Sequence, residues 1–174
     1  MRRSWRCPGN SRDENDTIKA GKTPEGWEKK PAKKRQKDKD ARWAKKHERS
    51  YFGYKNHVNV DRRHKVVRRW AVTDASVHDS QKFDGVLDVS NTASDVWADS
   101  AYRSREIEAK LAERGLKSCI HRCGTRNRPL GARQQAANKT RSTVHARVEH
   151  VFGHQTTTMG GKLVRTIGLV CAPK

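Results

Sequence analysis

The chain has 174 residues, which suits a single domain, and its 39 Lys and Arg against 19 Asp and Glu give a net charge of +20. A charge this large predicts attraction to a polyanion such as nucleic acid, although a ribosomal or chromatin protein would be basic for the same reason. Apolar runs are too short to span a membrane, and no signal-peptide core follows the basic residues 1–3. We therefore expect a cytoplasmic protein without a membrane partner, associated with the nucleoid when it binds DNA.

Residues 1–50 are predicted to form an irregular basic arm and linker, so we expect a disordered N-terminal third. Between residues 28 and 49, eleven Lys and Arg stand against four Asp and Glu, and such a run repels itself. Trp27 and Trp43 interrupt this run. Their rings either stack on bases in a nucleic-acid groove or dock onto the folded domain, and the sequence leaves both alternatives open.

A folded domain is predicted over residues 51–174. Apolar and polar residues alternate over 51–60 and again over 65–73, on either side of a polar turn at 61–64. This pattern predicts two antiparallel strands joined as a hairpin, each with one buried face. A further strand is predicted over 96–99, beside the hairpin.

Three helices are predicted after the hairpin. Ser104 is a suitable N-cap for the second helix, and Gly115 is placed to end it. The third helix begins near Leu130 and carries Glu149 on the flank of an apolar stripe, from which a carboxylate can reach a cleft. The residues expected to bury are Phe83, Val86 and Leu87 in the first helix, Ile107 and Leu111 in the second, and Val144, Val148, Val151 and Phe152 in the third.

Asp99 ends the strand predicted over 96–99. Ligands of α/β folds bind outside the carboxyl ends of strands, so an acid at this place is positioned for chemistry. The alternative is an aspartate that starts a turn or caps the following helix. Asp99 and Glu149 beside a basic surface are what Mg²⁺-dependent phosphoryl chemistry needs, because Mg²⁺ binds few carboxylates and these converge from separate elements.

Five ordered motifs then carry a resemblance to a known family. Together they are similar to the catalytic domain of bacterial insertion-sequence transposases of the acidic-triad (Asp-Asp-Glu) class, and the similarity covers nearly the whole chain. The motifs are Phe52-Gly53-Tyr54-Lys55-Asn56-His57, Val72-Thr73-Asp74-Ala75-Ser76-Val77-His78-Asp79-Ser80, Trp97-Ala98-Asp99-Ser100-Ala101-Tyr102-Arg103-Ser104, Ala146-Arg147-Val148-Glu149-His150-Val151-Phe152-Gly153 and Val164-Arg165-Thr166-Ile167-Gly168.

The resemblance implies an α/β, ribonuclease-H-like fold, with a mixed sheet flanked by helices. It also implies cut-and-paste DNA chemistry with two Mg²⁺ ions, acting on insertion-sequence ends and target DNA, and a homodimer in the intact protein. By motif match, Asp99 takes the place of the second acid, Glu149 that of the third, and Arg147 that of a basic residue near the glutamate.

One departure from the family pattern concerns the first acid and its strand, which would lie upstream of Met1. We therefore expect an incomplete, truncated fold and a catalytically impaired copy. The alternative function is a non-catalytic, basic remnant that binds nucleic acid. The candidate DNA-binding residues are Lys29, Lys30, Lys33, Lys34, Arg35, Arg103, Arg126, Arg128 and Arg147.

Overall fold

The computed structural model of the chain describes residues 4–6, 9–46, 48–91, 93–158 and 167–171. Their contacts group into two compact units. The sheet unit comprises the described residues of 2–57, 71–77 and 154–174, and the helical unit comprises those of 58–70 and 78–153. The division predicted at residue 50 stays a prediction.

Four strands form the larger sheet: β1 (Ser4–Arg6), β2 (Arg42–Lys46), β3 (Arg49–Val60) and β4 (Val67–Asp74). The long strand β3 pairs antiparallel with β1 and β2, and it also pairs with β4. The predicted hairpin is therefore confirmed. In the sheet unit, Ala41, Phe52 and Tyr54 form a core against which Trp43 and Val72 pack.

The expectation of a disordered N-terminal third is wrong for residues 9–46. They contain α1 (Arg12–Lys19) and α2 (Pro31–Arg35) as well as β2. Helix α1 begins with a capping box, in which the Ser11 hydroxyl accepts from Glu14 N–H at 3.1 Å and the Glu14 carboxylate accepts from Ser11 N–H at 2.9 Å. Trp27 is fully buried, which favours the docking alternative for this ring.

A buried aspartate anchors this segment within the sheet unit. Asp38 is 1% exposed and accepts both from the Tyr54 hydroxyl, at 2.7 and 2.8 Å, and from the backbone N–H groups of Asp40 and Ala41. It also accepts from Gly168 N–H at 3.1 Å. Some of these hydrogen bonds join residues that are far apart in the sequence, so a local pattern does not reveal them. They stabilise the fold of the basic run against the repulsion between its like charges. Residues 164–166 of the last family motif lie outside the described residues.

The helical unit contains the three helices expected after the hairpin. A 3₁₀ turn (Asp79–Lys82) leads into α3 (Phe83–Val86), which is followed by α4 (Arg105–Glu113) and the long α5 (Ala132–Thr157), whose last residues, from 154 on, belong to the sheet unit. Ser104 caps α4 by accepting from Ile107 N–H at 3.1 Å, and Gly115 follows its end at φ +66°. The core consists of Phe83, Leu87, Ile107, Leu111 and Ile120.

The strand predicted over 96–99 beside the hairpin needs correction. It is β5 (Asp95–Val96), which pairs in parallel with β6 (Lys117–Ser118) in a separate two-stranded sheet and is half-buried. Backbone hydrogen bonds of the same kind continue to Ala98, whose carbonyl accepts from His121 N–H at 3.1 Å. The strand stops there because Asp99 turns the chain into a 3₁₀ turn.

The fold is thus a mixed α/β arrangement of an antiparallel sheet and helices, which is compatible with the ribonuclease-H-like expectation. Among the described helices, none combines the length and the apolar character that crossing a membrane requires.

Candidate acidic site

Asp99 lies at the end of the β5–β6 ladder and caps the 3₁₀ turn Ser100–Tyr102. Its Oδ1 accepts from the backbone N–H of Ser100 at 2.6 Å and from the Ser100 hydroxyl at 3.1 Å. Burial by itself raises the pKa of a carboxyl, but these hydrogen bonds and the nearby His145 hold the pKa of Asp99 below its ordinary value. Asp99 is therefore ionised at neutral pH, and it is both a cap and a half-buried acid.

Glu149 is exposed on α5 and belongs to a stripe of polar residues. At 3.6 residues per turn, the four members of this stripe fall within roughly 60° of one another on the helix surface. An apolar stripe that includes the buried Val144 and Phe152 runs beside it. The polar stripe of α5 consists of Asn138, Ser142, His145 and Glu149.

His121 connects this helix face to the strand end that precedes Asp99. Its ring Nδ1 lies 3.2 Å from the Ala98 carbonyl oxygen, and its Nε2 lies 3.1 Å from the Ser142 hydroxyl. Because a carbonyl oxygen only accepts, Nδ1 carries the proton, and Nε2 is left to accept from Ser142 in the neutral ring. The ring also meets His145 edge to face, with centroids 5.9 Å apart.

Asn138 hydrogen-bonds the backbone of Arg122, the residue that follows His121. Its Oδ1 accepts from Arg122 N–H at 3.1 Å, and its Nδ2 donates to the Arg122 carbonyl at 2.7 Å. The amide side chain therefore replaces a strand partner for the backbone of Arg122. Together with His121, this pair holds the segment that follows β6 against the polar stripe of α5.

His145 lies within electrostatic range of both acids. Burial lowers the pKa of its imidazole, His121 lowers it further, and Asp99 and Glu149 each act to raise it. The net shift is downward, so the ring is mainly neutral at pH 7. Both acids thus act on the pKa of one histidine, while their convergence on one site and their catalytic role stay predictions.

Four of the candidate DNA-binding arginines are exposed in the helical unit. Arg103 lies 3.3 Å from a Glu108 carboxylate oxygen, and Arg147, two residues before Glu149, donates to the Arg62 carbonyl at 3.3 Å. The other two lie in a loop that a bridge between residues 125 and 128 closes; they are Arg126 and Arg128.

The remaining candidates belong to the sheet unit, in and just before α2. Lys33 lies 3.4 Å from a Glu14 oxygen, and Lys34 is half-buried, whereas the other three are exposed. These three are Lys29, Lys30 and Arg35. The basic run is therefore displayed on an ordered segment.

The acid pair fits part of a Mg²⁺ site. Carboxylate oxygens are the ligands that Mg²⁺ prefers, and the ion keeps several waters when one or two carboxylates bind it. Within the part of the chain that the structure describes, no group of three or more His, Cys, Asp or Glu side chains is arranged to hold a metal. A Mg²⁺ site at Asp99 and Glu149 therefore stays a prediction.

The histidines and the polar stripe were not predicted from the sequence. The available signal was the spacing of Asn138, Ser142, His145 and Glu149, which puts four polar side chains on one face of a predicted helix. The contact of that face with His121 depends on tertiary structure and left no local signal.

These features describe a basic α/β protein whose helical unit carries two candidate acids and four exposed arginines, a composition typical of proteins that bind nucleic acid. The family model described as "Transposase DDE domain" matches residues 5–170, and the chain belongs to this family. The resemblance found from the motifs is therefore confirmed.

A curated relative is named "Transposase for insertion sequence element IS1106", from Neisseria meningitidis serogroup B. The chain is 35% identical to it over 117 residues, which is 67% of this chain and 40% of the relative. The chain thus spans less than half the length of this relative. No solved structure matches the chain.

Proposed function

We propose that the chain takes part in transposition of an insertion element, by binding DNA and by supplying Asp99 and Glu149 to metal-dependent strand cleavage and transfer. The observation that supports this proposal is that the His121 ring lies between the Ala98 carbonyl, next to Asp99, and the Ser142 hydroxyl, two turns before Glu149 on α5. Residues that are 50 positions apart in the sequence would then serve one site. The proposed DNA partners are the ends of the element and its target.

Each residue has a separate part in this proposal. Ser100 fixes Oδ1 of the ionised Asp99, and helix α5 presents Glu149 to solvent. Arg147 and Arg103 supply positive charge for phosphates, which positions DNA without reading its sequence. A bound Mg²⁺ would polarise the phosphate and lower the pKa of a water.

A second candidate function is DNA binding without catalysis. This candidate is favoured because no third His, Cys, Asp or Glu among the described residues joins Asp99 and Glu149 in a metal-binding group. Two ions that share a bridging acid are needed to activate the nucleophile and stabilise the leaving group together. We therefore expect the chain to bind DNA and to cleave it poorly.

The test measures Mn²⁺ affinity by electron paramagnetic resonance and DNA cleavage in the same preparations. Asp99→Asn and Glu149→Gln should each lower Mn²⁺ affinity at least tenfold, and Glu113→Gln, an exposed acid of α4, should not. Unchanged affinity in both site variants would overturn the proposed acid site. Cleavage that is lost in Asp99→Asn would support catalysis, whereas DNA binding without cleavage would support the second candidate.

A further inference from the structure

We propose that His121 is a positioning residue that sets the separation between the Asp99 and Glu149 carboxylates. This inference rests on the proposed function, because it concerns the geometry of the same acid pair. It assigns a role to a residue outside the acid motifs. His121 makes contacts on two sides, with the Ala98 carbonyl and with helix α5.

On the strand side, His121 directs two donors to one oxygen. Its backbone N–H donates to the Ala98 carbonyl at 3.1 Å, and its ring Nδ1–H donates to the same oxygen at 3.2 Å. This carbonyl belongs to the peptide group that joins Ala98 to Asp99. Fixing its direction therefore fixes the orientation of the backbone from which the Asp99 side chain departs.

On the helix side, His121 contacts two members of the polar stripe. Nε2 accepts from the Ser142 hydroxyl, and the ring edge meets His145. His145 precedes Glu149 by one turn and Ser142 precedes it by two turns, so all three lie along the same helix face. Since a helix is rigid over two turns, the ring position determines where Glu149 stands relative to Ala98.

An imidazole suits this role because its two nitrogens hydrogen-bond on opposite sides of a flat, rigid ring. Nδ1–H donates to the Ala98 carbonyl, and Nε2 bonds the Ser142 hydroxyl, which can donate or accept. The ring therefore holds the two contacts at a fixed separation. Asn138 fastens Arg122 to the same helix but does not contact the Ala98 peptide, so it serves as a comparison.

The first test is Mn²⁺ affinity. His121→Phe keeps a flat ring but removes both ring hydrogen bonds, and Ser142→Ala removes only the helix partner. We expect both to weaken Mn²⁺ binding about tenfold or more, as losses of residues that orient metal ligands do. Ser142→Thr, which keeps the hydroxyl, should restore the affinity, and His150→Phe is the matched control on an exposed position of α5.

The second test needs no metal. Spin labels at Ser94 and Ala146, exposed positions on the strand side and on α5, are introduced into a chain whose four cysteines are replaced. The distance distribution should broaden or shift in His121→Phe and stay unchanged in His150→Phe. An unchanged distribution in His121→Phe would overturn the positioning role.

The two tests separate the inference from the proposed function. If Asp99→Asn and Glu149→Gln leave Mn²⁺ affinity unchanged, the proposed acid site fails, and the label distances still decide whether His121 positions the helix. If the acid variants weaken Mn²⁺ binding but His121→Phe does not, the inference is wrong and the acid site stands.

Discussion

Two aspartates in different regions of the molecule show how hydrogen bonding separates an anchor from a candidate ligand. Asp38, in the sheet unit, accepts from a tyrosine hydroxyl and from three backbone N–H groups. Asp99, in the helical unit, receives its described hydrogen bonds from Ser100 alone, and both end on Oδ1. A carboxylate whose lone pairs are used by buried donors cannot bind a metal as well, so Asp38 is structural.

Hydrogen bonds to a second acid, Glu14, also help to order the basic segment. Glu14 accepts from the Trp27 indole N–H at 2.9 Å and from the Lys37 ammonium at 2.9 Å. Burial opposes the charge on Glu14, but the hydrogen bonds from Trp27, Ser11 and Lys37 lower its pKa to about 2. Acids inside the segment thus offset part of its self-repulsion and leave the exposed lysines available for DNA.

The largest effect is expected from the anchor. Asp38→Asn should lower the free energy of unfolding by about 3 kcal/mol. The buried side chain would lose its charge, and its new NH2 group, a donor, would face the N–H and O–H groups that donate to Asp38. Asp99→Asn should change it by less than about 1 kcal/mol, since its partner is one residue at a half-buried site. Urea unfolding measures both, and equal losses would contradict the distinction between the two aspartates.

The next effect concerns Glu14 and depends on pH. Glu14→Gln should cost about 2 kcal/mol at pH 7, because hydrogen bonds to a charged acceptor are lost. The pKa of Glu14 is lowered on folding, so its carboxylate stabilises the fold above the ordinary value of 4.5, and this stabilisation disappears as the pH falls to about 2.

Unfolding of both chains between pH 7 and pH 2 measures this window. The difference between the native chain and Glu14→Gln should shrink as the pH falls. Asp13→Asn, an exposed acid in the same helical turn, is the control and should show a smaller change. A difference that persists undiminished at pH 2 would show that the charge of Glu14 is not responsible.

A third effect concerns DNA binding by the lysines of the basic run. Replacing Lys29, Lys30, Lys33 and Lys34 by Ala should weaken binding to duplex DNA about tenfold at low salt and reduce the salt slope by about 3 to 4, because each phosphate contact releases counterions. Asp99→Ala should not weaken binding. Fluorescence anisotropy over a salt series gives the slope, and an unchanged slope would exclude this lysine group from the DNA interface.

The smallest effect is expected at Asn138, whose side chain hydrogen-bonds the backbone of Arg122. Asn138→Ala should cost about 1 kcal/mol, since two neutral hydrogen bonds with Arg122 and one from the Arg141 guanidinium are lost near the surface. Thr140→Ala, at an exposed position of the same helix, is the control. Mn²⁺ affinity should fall less in Asn138→Ala than in His121→Phe, and the reverse order would assign the positioning role to Asn138.

Local patterns were sufficient where an element depends on its own residues. The hairpin follows from alternation, and α4 follows from Ser104 at one end and Gly115 at the other. The buried residues Phe83 and Leu111 follow from helical spacing. In each case the hydrogen bonds and the apolar face are encoded within about ten residues.

Long-range partners account for the rest. The ordered structure of residues 9–46 depends on the hydrogen bond that the Tyr54 hydroxyl donates to Asp38. The dense positive charge of this run predicted disorder and gave no sign of that contact. The strand before Asp99 is shorter than predicted because the aspartate bonds its own neighbour. His121 gave no signal, since its importance appears only when its ring meets the polar stripe of α5.

The bond between Asp38 and Gly168 also sets the order in which the chain can fold during synthesis. These residues are 130 positions apart, and Leu169 likewise donates to Asp40 across 129 positions. Asp38 therefore gains this donor only after Gly168 has been synthesised, whereas the helical unit draws on residues 58–70 and 78–153, all of which precede Gly168.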